Sequence, residues 1–199
     1  MNKDKALESV NEIKELMEKS SKFISFSGLA AIMAGIYALV GAYVATQVIT
    51  PDTKLTTALE LMIIVASLVL TVSAVTACIL SYYKSQKTGQ KFFSRLTYRA
   101  LWNFSLPMLT GGILCISILL HGYYGIIASI MLLFYGLTLV NVSKFTYSSI
   151  AWLGYAFIGL GIIDCFWEGH SLLFWTIGFG GFHILYGILF YLHYERKKS

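Results

Sequence analysis

From Phe23 onward the chain is a series of long apolar runs separated by short polar punctuation. Crossing about 30 Å of hydrocarbon takes roughly 20 apolar residues in a helix, and the runs have that length. They predict spans near Phe23–Val48, Thr57–Tyr83, Ala100–Leu120, Tyr123–Val142, Ser148–Phe166 and Leu172–Leu192. Helices are required, because lipid offers nothing to bond a bare backbone. The strands of a membrane barrel would alternate polar and apolar residues, and these runs do not. The pattern predicts an all-α, polytopic membrane bundle of six transmembrane helices over residues 23–199.

Residues 1–22 follow a different rule. Ala6, Val10, Ile13, Met17 and Ser20 recur at heptad-like spacing, widened by Leu7 and Leu16. Glu15–Lys19 and Glu18–Lys22 are favourable pairs four residues apart. This is the signature of a cytoplasmic amphipathic helix lying along the membrane or against the bundle, or of a short dimerisation helix. Such a charged segment ahead of an over-long apolar run is not a cleavable signal peptide.

Charge settles the expected orientation. Fourteen of the fifteen lysines and arginines fall before span one, between spans two and three, between four and five, or after six, and Lys54 alone falls elsewhere. The positive-inside rule makes the first group cytoplasmic. A bacterial inner (cytoplasmic) membrane protein, multi-pass, with N-terminus and C-terminus both cytoplasmic, is the expectation. Tyr82, Tyr83, Trp102, Trp152 and Tyr194 would form the inner aromatic belt, and Tyr123, Tyr124, Trp167 and Trp175 the outer one. Composition agrees: 57% of residues are hydrophobic and 13% charged, about half the charged share of a soluble protein. The net charge of +5 reflects topology, so no nucleic acid is implied. Cys78, Cys115 and Cys165 have no metal-type spacing and read as small apolar filler.

Within Lys84–Arg99 the cations Lys84, Lys87, Lys91, Arg95 and Arg99 fall on one helical stripe beside Phe92, Phe93 and Leu96, with no acid. That is either the cluster that sets topology or an interfacial helix whose cations contact anionic lipid headgroups. His121-Gly122 alone separates spans three and four, which predicts a tight antiparallel hairpin. Leu133-Phe134-Tyr135-Gly136 is echoed by Ile184-Leu185-Tyr186-Gly187, as repeated two-helix hairpins would produce.

Membrane helices associate through small residues and polar contacts. Span one offers Ser27, Ala31, Ala34, Ala38, Gly41 and Ala45; span two offers Glu60, Ser67, Thr71, Ala74, Cys78 and Ser81. Span three offers Asn103, Pro107, Thr110, Ser117 and His121; span six offers Thr176, Gly180, His183 and Gly187. His183 is the one imidazole near the bilayer midplane. It is either a packing contact to a neighbouring helix, with Thr110, Tyr135 or Tyr186 as partner in room left by Gly111-Gly112, or part of a polar path formed by Asn103, Thr110, Ser117, His183 and Tyr186. Near the outer surface, His121, Asp164, Glu168 and His170 are either separately solvated or a small cation site of mixed oxygen and nitrogen ligands. No metalloprotease, nucleophile-elbow or phosphate-loop signature is present. A membrane haem would need two facing histidines at depth, so no cofactor is implied.

Leu101-Trp102-Asn103, Pro107, Thr110-Gly111-Gly112, Phe134-Tyr135-Gly136, Val140-Asn141-Val142-Ser143-Lys144, Phe174-Trp175-Thr176-Ile177-Gly178-Phe179-Gly180, His183-Ile184-Leu185-Tyr186-Gly187 and Tyr194-Glu195-Arg196 stand in this order. With Ser27-Gly28-Leu29 through Gly35-Ile36-Tyr37, the set resembles a family of uncharacterised six-span bacterial inner-membrane proteins. In size and paired-helix layout only, the chain resembles the acid-stress membrane proteins of the HdeD type. The reading that follows is a non-enzymatic inner-membrane protein of envelope or stress physiology, a homo-oligomer in one form of it. The alternatives are a small transporter or channel using the span-three path, and an intramembrane enzyme or metal-binding protein using the outer cluster.

The topology is directly testable. In a chain without its native cysteines, new cysteines at Gln90, Ser143 and Ser199 should label only from the cytoplasm, and ones at Thr53 and Ser171 only from outside. Labelling of the Gln90 position from outside in intact cells would overturn the orientation.

Overall fold

In lipid each backbone N–H and C=O must find its partner within its own helix, and the described apolar runs are helical. The computed structural model describes residues 27–48, 50, 52–89, 92–167 and 169–196. The amphipathic segment expected over residues 1–22 lies outside the described residues. Six helices result: α1, Gly28–Val48; α2, Leu55–Lys87; α3, Arg95–Leu120; α4, Ile127–Val142; α5, Ile150–Phe166; and α6, Ser171–Glu195. No strand occurs among the described residues. Five of the helices are long and apolar enough to cross a bilayer, α4 with its flanking 3₁₀ turns (Tyr124–Phe145) included, and α5 is the shorter sixth at 17 residues. The chain is a multi-pass membrane protein.

α6 is irregular. It opens as an α-helix over Ser171–Trp175, widens into a π-helix over Thr176–Phe182, returns to α over His183–Phe190 and ends in π geometry over Tyr191–Glu195. The wide run contains Gly178, Gly180 and Gly181.

Two antiparallel crossings organise the bundle, α1 with α6 and α4 with α5. Both are made where glycines let one backbone touch the other. A Cβ on Gly28 would lie 2.8 Å from the Gly187 carbonyl oxygen, and one on Gly187 would lie 2.7 Å from that of Gly28. In the other pair, Gly136 stands 2.7 Å from the Gly154 oxygen and Gly154 2.8 Å from the Gly136 oxygen by the same measure. The second contact in each pair is one further heptad along, at Gly35 with Gly180 and at Gly161 with Leu133. Small residues take this role because, without a hydrophobic drive between helices, close packing is what holds them.

α2 leans on α1, and α3 leans on α4. Both lie at the rim: Ala58 and Ser85 are the residues α2 buries, Ala100 and Gly111 those of α3. The apolar core sits between α4 and α5, where Leu132, Leu139, Val142, Ile150, Leu153 and Phe157 join Ala100 of α3.

Several expectations change. The helix-face stripe expected for span two is largely exposed, at Glu60, Ser67, Thr71, Ala74 and Cys78. α2 instead meets α1 through Val65 and Val69 against Gly41, and through Thr76 on the Tyr37 hydroxyl. Nor is Lys84–Arg99 one interfacial helix. Lys84 and Lys87 end α2, Gly89 turns the chain with φ +68°, and Ser94 caps α3, taking the Thr97 N–H at 3.2 Å. Arg95 and Arg99 are the opening turn of α3, and Lys91 is outside the described residues. Ser143 is buried with its hydroxyl on the Val140 carbonyl, which makes exposed Lys144 the better label position in that turn.

The crossings carry a stability prediction. Gly136→Val should cost about 1–3 kcal/mol by overpacking against the Gly154 backbone. Gly112→Ala, with nothing near its side-chain position, should leave stability unchanged or slightly raised. Denaturant unfolding in mixed micelles measures both.

Candidate functional site

Several polar side chains that enter the bundle join one element to another, while others such as Thr138 and Ser85 bond to carbonyls of their own helix. Deepest is His183 of α6, 7% exposed, whose Nε2 is 2.7 Å from the Tyr135 hydroxyl of α4. Phe157 of α5 meets the imidazole edge-on at 5.3 Å between ring centroids, and Phe179 stacks on it at 6.1 Å. Nδ1 is buried without a hydrogen-bond partner. His183 stands directly after the π-helical run, a geometry found frequently at functional sites.

Toward the basic end, the Tyr186 hydroxyl lies 3.0 Å from the Ser149 hydroxyl, joining α6 to the turn before α5. Asn141 of α4 donates its side-chain N–H to the Asn103 backbone oxygen at 3.0 Å and to the Asn103 Oδ1 at 3.2 Å, joining α4 to α3. Farther out the helix ends are drawn together by Glu195. Its Oε1 accepts from Lys84 Nζ at 2.7 Å and from the Gly28 backbone N–H at 3.1 Å, so one carboxylate ties α6, α2 and α1. At the start of a helix a carboxylate meets the positive end of the macrodipole. Lys84 Nζ also sits 5.3 Å above the Phe190 ring. Tyr147 packs on Phe190 and Tyr194 at 4.7 and 5.0 Å. Burial, and then the neighbouring Glu195 carboxylate and Tyr194, push the Tyr147 phenol up to about 12, so it stays a neutral donor at every physiological pH.

At the opposite end Asp164 of α5 is turned inward, 3% exposed, and its Oδ2 accepts from the Ser129 hydroxyl of α4 at 2.7 Å. Ser129 is fully buried.

The expected sites are only partly brought together. Of the path residues, His183 and Tyr186 lie on one inner face and bond to α4 and to the α4–α5 turn, whereas Thr110 and Ser117 face outward. The Thr110 hydroxyl is spent on the Leu106 carbonyl of its own helix at 2.8 Å. Gly111 makes room for Phe134 and not for the imidazole. Of the outer residues, His121 is exposed with Nδ1 on the Ser117 carbonyl, His170 is exposed against the Trp167 ring, and Asp164 is inside. Glu168 lies outside the described residues, and among those described no group of three histidine, cysteine or carboxylate side chains could hold a metal ion. Lys84, Lys87, Arg95 and Arg99 remain at one end of the bundle, with exposed Phe93, Tyr98 and Trp102 beside them.

Sequence reasoning missed Ser129, Asn141, Ser149 and the Lys84–Glu195 pair. The last joins residues 111 apart, and nothing local announces it. No family model, no curated protein and no solved structure matches the chain. Function is therefore argued from geometry.

The Glu195 clasp predicts a salt-sensitive loss. Glu195→Gln should cost about 1 kcal/mol at low ionic strength and less at high salt. Adding Lys84→Met to that variant should cost little more. Unfolding of the purified variants across a salt series measures it.

Proposed function

We propose that this chain is a six-span integral protein of a bacterial inner membrane, both ends cytoplasmic, that works through helix contacts and catalyses no reaction of its own. A helix of 17 residues is at the lower limit for a crossing. The packing of α5 along α4 supports counting it as the sixth span. The echo of Tyr135-Gly136 in Tyr186-Gly187 supports a repeated hairpin design: in both, the glycine makes a backbone crossing and the tyrosine bonds to another element.

The observation that carries the reading is the closure of His183. A deep imidazole lining a path would face water, whereas this one is bonded to Tyr135 and covered by Phe157 and Phe179. The cationic end with its exposed aromatic rings suits anionic lipid headgroups, at about 1 kcal/mol per basic residue near the surface. The outward faces of α2 and α3 leave room for a second copy of the chain.

A conduit is the second reading, favoured by the π-helical run beside His183 and by its unpaired Nδ1. Magnetisation transfer from water to ring-labelled histidine in bilayers separates the two. The contact reading expects transfer to exposed His193 and none to His183 on the same timescale. It also expects His183→Gln to cost only about 0.6 kcal/mol, the average of a membrane interhelical hydrogen bond. Rapid transfer to His183 would overturn it in favour of the conduit.

A further inference from the structure

Asp164 poses a charge problem that its surroundings do not solve. One oxygen, Oδ2, has the Ser129 hydroxyl at 2.7 Å. The other, Oδ1, is buried and has no hydrogen-bond partner. No cationic side chain pairs with the group: among the described residues the lysines and arginines gather at the far end of the bundle, and Lys54 lies in the α1–α2 turn. The titratable neighbours on the elements around it do not help. His121, Tyr123, Tyr124 and Cys165 are exposed, and no hydrogen bond joins them to the carboxyl, while exposed His170 lies against the Trp167 ring. Beside it Ser171 at the start of α6 donates to the Gly125 carbonyl at 3.0 Å, and that start packs on α4 and α5.

An unpaired carboxylate buried in this way carries a penalty of several kcal/mol, and ionisable groups within membrane helices mark ion or proton sites. The compensating charge therefore comes from none of the described side chains. It carries one unit, because a single carboxylate neutralises one; a divalent ion would leave an excess positive charge in the same dry place. It is small, because the close contacts of the α4–α5 crossing at Gly161 lie one turn away. It is hard, because the atoms on offer are carboxylate and hydroxyl oxygens.

From this geometry we propose that Asp164 Oδ1, with the Ser129 hydroxyl beside it, is the binding site of one small alkali cation at the outer end of the α4–α5 seam. The site lies near the surface opposite the basic end, three residues before exposed Trp167. It rests on the six-span reading for its depth.

The test is carbon-13 NMR of side-chain carboxyls in the full chain, aspartate-labelled and reconstituted in bilayers. The chain has three aspartates, Asp4, Asp52 and Asp164. An Asp4→Asn, Asp52→Asn double variant leaves the Asp164 signal alone without touching the site. If sodium is the ligand, the signal is that of a carboxylate and shifts when sodium replaces choline. The signal of a protonated acid, the same in either salt, overturns the proposal. An ionised carboxylate that ignores sodium overturns the proposal. Failure of the six-span reading would appear separately, in the labelling pattern at Gln90 and Thr53.

Discussion

Everything in this bundle depends on backbone touching backbone without side chains between. In water an apolar stripe would be enough to bring two helices together; among lipid tails it is not, and dispersion contacts reward only surfaces that fit. Gly28 against Gly187 and Gly136 against Gly154 supply that fit. The two crossings set the positions of four helices, and the remaining two, α2 and α3, attach to the outside of them. The polar pairs are consequences. Ser129 can reach Asp164 only because the α4–α5 crossing already holds their helices at close range, and the Tyr135–His183 pair joins the two crossings through α4 and α6.

The same crossing is used with a variation that matters. The position one heptad before Gly136, which the α1–α6 pattern would fill with glycine, holds Ser129. Its hydroxyl converts a bare contact into a polar one and receives the only acid that α5 carries. A packing motif and a binding group thus occupy one helix face, and the burial that makes the contact tight is what leaves the second carboxyl oxygen without a protein partner.

How much of this could be read beforehand divides along physical lines. That the apolar runs are helices, five of them long enough to cross, was legible because length and apolarity are imposed by the bilayer, as was the inner face of α1, where Ser27, Ala31, Ala38, Gly41 and Ala45 are all buried. The Gly180, His183 and Gly187 face of α6 was legible for the same reason. The stripes on spans two and three misled because a hydroxyl in lipid need not seek another helix. Thr71 and Thr110 return theirs to carbonyls four residues back, a local solution that looks from the sequence like an interface. Asp164 was placed near the outer surface, solvated or one ligand of a cation site, because depth was judged along the span, whereas the face of the helix turns it inward.

The widened stretch of α6 from Thr176 to Phe182 also bears on how such a chain can vary. In a regular helix each residue advances the face by about 100°, so one residue lost from α5 would swing every later side chain off its partner. A π-turn already holds a surplus residue. A chain one residue shorter within this stretch can relax to ordinary helix and keep both Gly180 and Gly187 opposite α1. A one-residue deletion that would misalign partners elsewhere in the bundle has, in α6, a defined place to be absorbed.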